Sequence, residues 1–455
     1  MGRTGGCWSR NLAYVTTTGT PAPPADAVPR GVRPSLVWLL FAAVHAWLAY
    51  LGTGPESGSF ADVELYRRWV ETGLTTGTWP VLDGPWVYPV GALLAMLAPA
   101  LADVASPTAY AAAWCLLVTV LDAVAVALML RRGRSGRLGA AWWLVFLALL
   151  GPVAMGRIDA IVGPMSVVAL LLALAHPRVS TVLVTAAAWI KVAPGAAILP
   201  VLLTARRPWR DVVLPGFVVC VVVVGTVAAL GGADHVASFV QEQEQRGLQV
   251  ESVAATPWLV ANLFAPAAVI EFDATIVTYE IQGPGTQTTA DVLGWLLPLA
   301  VLAVAALLWW RRRADGPVFW SDDARRGDLL LRTAFALAVA LIVANKVGSP
   351  QFIAWLAPPV AVALCVGAPR WRRTAAVVLA VAAATQWVYP WQYDEVVNSV
   401  AGGTAVLTVR NALLVLLLVM TVRDLVRPAD VSRPVGGEPR EQVGPGAPVV
   451  DRGVR

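Results

Sequence analysis

Apolar runs of roughly 17–25 residues recur along this chain, and each is long enough to cross a bilayer as a helix. The first span is expected at residues 35–52. Further apolar segments follow at roughly 88–103, 108–130, 140–155, 160–175, 180–204, 212–230, 292–310, 329–345, 351–368, 374–389 and 405–425. The expected fold class is all-α, a polytopic transmembrane bundle of about 11–13 helices, some short or broken. Charge agrees. Only 14% of the 455 residues are charged and 57% are hydrophobic, where a soluble chain would carry about a quarter charged residues. The four cysteines, Cys7, Cys115, Cys220 and Cys365, lie far apart, and three fall inside apolar runs. They read as small core residues rather than metal or redox groups.

The net charge of +5 does not point to nucleic acid. Its arginines cluster in short loops at 131–137, 206–210, 311–313, 325–326, 370–373 and 423–427, which places those loops in the cytoplasm. Loops 52–87 and 231–291, together with 345–351 and 386–398, then fall outside. The first half does not close so simply. Two apolar segments lie between Asp62 and Arg131 where one crossing is needed, so either one does not span or the arginines at 131–137 are an exception. A hairpin turning at Lys191, with two half-length helices broken at Pro194, closes the count further on. Residues 1–34 and 428–455 are Pro/Gly-rich and are expected to be disordered cytoplasmic ends flanking a membrane domain at 35–427. No cleavable signal is evident, and the first span is expected to serve as an uncleaved one. In loop 231–291, Phe239–Val250 reads as a helix and the alternating Ile270–Ile281 as a small hairpin.

Chemistry concentrates in few residues. Loop 60–89 holds Asp62, Glu64, Glu71 and Asp83 and ends in Trp86-Val87-Tyr88-Pro89. Residues 62–71 can form a short surface helix with Leu65, Trp69 and Val70 on one side and Asp62 near Tyr66 on another. From composition alone Asp62 is a solvated acid or a helix N-cap, and Tyr66 an interfacial anchor. Among 34 basic residues only two are lysines, Lys191 and Lys346, both beside or within apolar runs. Such groups mark functional sites, or else snorkel to the interface. Arg157 and Asp159 read as an ion pair, Arg246 and Glu251 as parts of a solvated charged helix, and Arg410 as snorkelling at the end of the last span. Ser349 and Gln351 can cap the helix that starts at Pro350. Asp122 is expected to pair within the bundle. The three histidines are isolated, and no phosphate-cradling glycine loop is present.

Seven pieces stand in a fixed order. They are Asp62-x3-Tyr66, Trp86-Val87-Tyr88-Pro89, Gly156-Arg157-Ile158-Asp159, Ile190-Lys191-Val192-Ala193-Pro194, Gln245 to Ser252, Asn345 to Gln351, and Tyr389-Pro390-Trp391. The ordered set, over roughly residues 35–425, resembles glycosyltransferase family 87, the actinobacterial polyprenyl-phosphate-mannose-dependent mannosyltransferases of the GT-C superfamily. The resemblance implies a GT-C-like bundle in a bacterial plasma membrane with its active site on the external face. It implies inverting transfer of a sugar, mannose first, from a polyprenyl-phosphate donor to a cell-envelope glycolipid or glycan acceptor, without metal or other cofactor. Asp62 is then the base, with Glu64 and Asp83 as substitutes. Tyr66, Asp83, Tyr88, Arg157, Asp159, Lys191, Arg246, Glu251, Lys346, Ser349 and Gln351 contact substrate. The family often carries Gln and Asn where this chain has Arg157 and Asp159. A transporter or flippase of lipid-linked sugars is the competing reading, since it would share the broken helices and embedded lysines. It would not need the acidic loop.

Overall fold

The computed structural model describes residues 33–54, 58–244, 246–274 and 277–426. The expected disordered ends lie outside them, apart from Arg33 and Pro34. In chain order the helices are α1 (Pro34–Thr53), α2 (Ala61–Thr76), α3 (Gly91–Asp103), α4 (Pro107–Leu130), α5 (Gly133–Leu150), α6 (Asp159–Leu172), α7 (Pro177–Ile190), α8 (Ile198–Thr204) and α9 (Leu214–Ala229). They continue with α10 (Ser238–Glu244), α11 (Thr256–Asn262), α12 (Thr286–Ser321), α13 (Asp323–Val343), α14 (Ala357–Cys365), α15 (Arg372–Gln386), α16 (Tyr393–Val397) and α17 (Ala401–Val426). Strands β1 (Val269–Asp273) and β2 (Thr278–Gln282) pair antiparallel between α11 and α12, as the alternation of 270–281 predicts. Among the described residues, seven helical stretches are long and apolar enough to cross a membrane. The chain is thus the all-α polytopic bundle expected.

Two separate sets of polar contacts mark its two faces. On one, Arg157 meets Asp62 and Tyr389, Trp86 N donates to Ser238 Oγ at 2.9 Å, and Gln249 N donates to Lys346 O at 3.0 Å. On the other, Arg206 donates to Trp320 O at 2.7 Å, Arg312 to Leu203 O at 3.1 Å, and Arg332 to Asp424 at 2.8 Å and Pro369 O at 3.0 Å. These are the site face and the arginine face below.

The ambiguity before Arg131 falls on α3. Its first residue follows the Tyr88 loop, and just past its other end Val104 O accepts from Arg67 Nη1 of α2 at 2.8 Å. Both ends of α3 therefore lie on the site face, and α4 is the one crossing. The break at Lys191 is also present. Lys191 is extended (φ −148°, ψ 130°) after 14 residues of α7, and a tight turn at Ala193–Ala197 containing Pro194 leads into α8. Pro194 has no N–H to continue a helical ladder. Neither half reaches the ~20 residues of a full span, so Lys191 sits where two short helices meet.

Two expectations change. α2 buries Val63, Tyr66, Arg67, Val70 and Gly73, a stripe at helical spacing that differs from the one expected. It packs Tyr66 into the bundle rather than at an interface. The helix expected over 239–250 stops at Glu244. The chain then turns extended, because Val250 N donates to Tyr279 O at 3.1 Å and Ile281 N to Leu248 O at 2.9 Å. Residues 248–250 thereby line the edge of β2.

Candidate active site

A close contact of two short segments builds the centre of the site. Phe60 precedes α2, and its ring occupies the space beside Gly156, where an added Cβ would lie 2.5 Å from Phe60 Cδ1. A side chain at 156 would push the two segments apart. The contact sets Asp62, in the first turn of α2 rather than at its N-cap, against Arg157. Asp62 Oδ1 and Arg157 Nη1 form an ion pair; the Asp62 side chain keeps 27% of its surface exposed, against 8% for Arg157. Arg157 Nη2 also donates to Tyr389 Oη at 2.6 Å. Tyr389 arrives from the irregular turn Trp387–Trp391 after α15. Burial works against the Arg157 charge, but Asp62 together with the Tyr389 and Tyr66 phenols outweighs it and holds the guanidinium protonated.

Tyr66 lies beneath this pair and is 0% exposed. Its Oη accepts from Ile158 N at 3.2 Å and lies 3.5 Å from Tyr88 Oη. Burial pushes both phenols above their ordinary range, as does the nearby Asp62 carboxylate, so they stay neutral donors and acceptors. On the far side of Tyr88 stands Lys191, its Nζ 4.9 Å from the Tyr88 centroid and 5.8 Å from that of Phe352. These are cation–π distances. Lys191 Nζ is 3.9 Å from Asp159 Oδ2, too far for a hydrogen bond. Asp159 Oδ1 accepts from Trp355 Nε1 at 2.7 Å, while the buried Oδ2 has no hydrogen-bond partner. The expected Arg157–Asp159 ion pair is therefore replaced by two others, because positions 157 and 159 face different helices.

Asp159 and Trp355 also head an apolar slot. It runs down α6 past Val162 and Leu170, between the turn at Ala193–Ala197 and Ala334 and Ala338 of α13. With about 50 Å³ of free space it is a slot rather than a chamber. Lys191 adjoins its mouth.

A second carboxylate lies near. Glu251 is 2% exposed, not part of a solvated helix. Its Oε2 accepts from Tyr393 Oη at 3.3 Å and Gln249 Nε2 at 3.2 Å, and Oε1 has no hydrogen-bond partner. Burial pushes its carboxyl up to about 7, against the opposing charges of Arg410 and Arg157. Arg410 is 1% exposed and faces inward instead of snorkelling, since Glu251 gives it a counter-charge. Gln249 Oε1 accepts from Gly348 N at 2.7 Å and from Ser349 Oγ at 3.4 Å, which draws the strap at 345–351 onto the site. Lys346 and Gln351 are half-buried on that strap. Arg246 stands at the site edge, where burial works against its charge and Tyr88 and Glu280 offset part of that cost; its buried Nε has no hydrogen-bond partner. The two substitute acids are committed elsewhere. Arg67 and Arg68 clamp Glu64 and hold its carboxyl down at about 2, while Asp83 is exposed at its backbone turn and accepts from Trp79 N at 2.7 Å.

Glu251 supplies a signed expectation. Its folded value lies above the ordinary 4.5, so its contribution to stability is full below pH 4.5 and is lost as pH rises through about 7. Glu251→Gln cannot ionise. Melting in detergent from pH 5 to 8 is expected to destabilise the unmodified protein relative to this variant by on the order of 3 kcal/mol. Parallel curves would show that Glu251 does not titrate there.

The model of glycosyltransferase family 87 matches residues 86–343, more than half of the chain. The chain belongs to glycosyltransferase family 87. No curated protein matches it. The family 87 match includes Tyr88, Arg157, Asp159, Lys191, Arg246 and Glu251; Asp62 lies before it, and Lys346, Ser349, Gln351 and Tyr389 after it. Sequence reasoning missed Tyr389, Trp355, Gln249 and Tyr393 as site residues. Tyr389 and Gln249 stood inside the quoted strings. Trp355 and Tyr393 carried no signal beyond an aromatic near a span end.

Proposed function

We propose that this membrane glycosyltransferase moves a sugar, mannose by family resemblance, from polyprenyl phosphate to a cell-envelope glycolipid or glycan on the external face. The acceptor hydroxyl oxygen attacks the anomeric carbon as the bond to the phosphate oxygen breaks. The proton passes to Asp62, and the polyprenyl phosphate leaves with the bonding electrons. One displacement inverts the anomeric centre. Arg157, on Oδ1, holds the carboxylate in orientation and leaves Oδ2 to accept the proton. Lys191 stabilises charge growing on the departing phosphate. Asp159 Oδ2, without a hydrogen-bond partner beside Lys191, receives a sugar hydroxyl. The apolar slot beside them suits a long isoprenoid chain lying along it.

One juxtaposition carries the reading: a partly exposed carboxylate and an ammonium, both acting on Tyr88, with the ammonium at the head of an apolar slot. The site lies opposite the arginine face, and the positive-inside rule puts that face in the cytoplasm. The test is incubation of the purified protein with a panel of polyprenyl-phosphate sugars and envelope acceptors, with products read by mass spectrometry and their anomeric configuration by NMR. An acceptor gaining one sugar of opposite anomeric configuration is expected. Transfer only from nucleotide sugars, or movement of intact donor across vesicles without transfer, would overturn the proposal.

A further inference from the structure

On the arginine face α12 does not run straight. Gly316 takes φ 55° and ψ −140°, a conformation essentially confined to glycine, and Pro317 follows. The bend returns Trp320 over Arg312, whose guanidinium carbon lies 4.7 Å from the Trp320 centroid and 5.3 Å from that of Trp309. Arg313 lies 4.9 Å from the Trp309 centroid. With Gly316 and Pro317 these four residues line an open concavity of about 470 Å³, within the range of small-ligand sites.

The charge around it is unbalanced. Asp315 is shared by Arg311 at 3.3 Å and Arg325 at 3.6 Å. Asp323 is shared by Arg326 at 3.0 Å and Arg206 at 3.4 Å. Among the described residues no carboxylate pairs with Arg312 or Arg313, and Arg312 donates only to Leu203 O. Arg326, 4% exposed, keeps Nε and Nη1 without hydrogen-bond partners. Trp309, which lines the concavity, is 42% exposed and its neighbour Trp310 50%, on a helix that buries little of itself.

We propose that this concavity binds the phosphodiester headgroup of an anionic phospholipid in the leaflet opposite the active site. Two guanidinium groups without a carboxylate partner favour an anion, and guanidinium suits phosphate by its paired donors. The exposed tryptophans sit where indoles settle, at headgroup depth. Basic pockets between helices at that depth hold anionic headgroups.

The test is native mass spectrometry of the full-length protein in mild detergent, with phosphatidylglycerol, phosphatidylcholine and inorganic phosphate as probes. Phosphatidylglycerol is expected to stay bound where phosphatidylcholine does not. The double substitution R312A/R313A should reduce its retention about tenfold or more, while R312K/R313K keeps most of it and R131A/R134A leaves it unchanged. Melting curves matching the unmodified protein confirm that the variants are folded. Equal retention of the two lipids, undiminished retention in R312A/R313A, or displacement of the lipid by millimolar phosphate would overturn the proposal. The last outcome would make this a site for free anions.

Discussion

Asp62→Asn is expected to lower sugar transfer by about 10²–10⁴-fold, the usual contribution of a positioned general base. Asparagine keeps the size of the side chain and can still accept from Arg157, so the contact between α2 and the Gly156 segment should survive. What it loses is the ability to take a proton from the acceptor hydroxyl. Removing the carboxylate also releases Arg157 from its ion pair, so donor affinity should hold or improve. The expected pattern is a large fall in kcat with KM for the donor unchanged or lower. Initial rates across donor concentrations in proteoliposomes would measure both. A kcat within a few-fold of the unmodified protein would remove Asp62 from the chemistry, and Glu251 would then be the carboxylate to test.

Lys191→Met is expected to lower kcat/KM by about 10²–10³-fold, the scale seen when one electrostatic contact to a developing charge is removed. Methionine fills the same space beside Tyr88 and Phe352 without the charge. Asp159 Oδ2 would lose the cation that faces it, so some loss of stability should accompany the kinetic effect. Lys191→Arg separates the two, because it keeps the charge in a less compact form. It should retain stability and recover part of the rate. If Lys191→Met transferred sugar at the normal rate while binding donor normally, the leaving phosphate would have to be stabilised by another cation.

The fold was legible where hydrophobicity is periodic and long. The spans, the broken segment at Lys191 and the 270–281 hairpin follow from apolar length, proline and alternation. The Asp122 pairing was also readable, and His45 Nε2 provides it at 3.1 Å. Orientation was not legible where tertiary contact decides it. Nothing in Arg157-Ile158-Asp159 says that residues two apart serve different partners. Phe60 against Gly156 turns one toward Asp62, while the start of α6 turns the other toward Trp355. Glu251 and Arg410 looked like surface charges for the same reason, since each hides the other's counter-charge 159 positions away in the chain. An amide at 157 or 159 would make no ion pair. In this chain both positions are charged, and Asp62 and Lys191 balance them.

The three-part contact of Asp62, Arg157 and Tyr389 joins residues far apart in the chain, from α2, the segment before α6 and the turn after α15. A ribosome feeding this chain into a translocon delivers the acid first and the phenol almost last, so the centre stays unfinished through most of synthesis. On the proposed mechanism, a chain cut short before Tyr389 lacks the phenol that receives the Arg157 hydrogen bond, and sugar transfer by such a fragment is expected to fall.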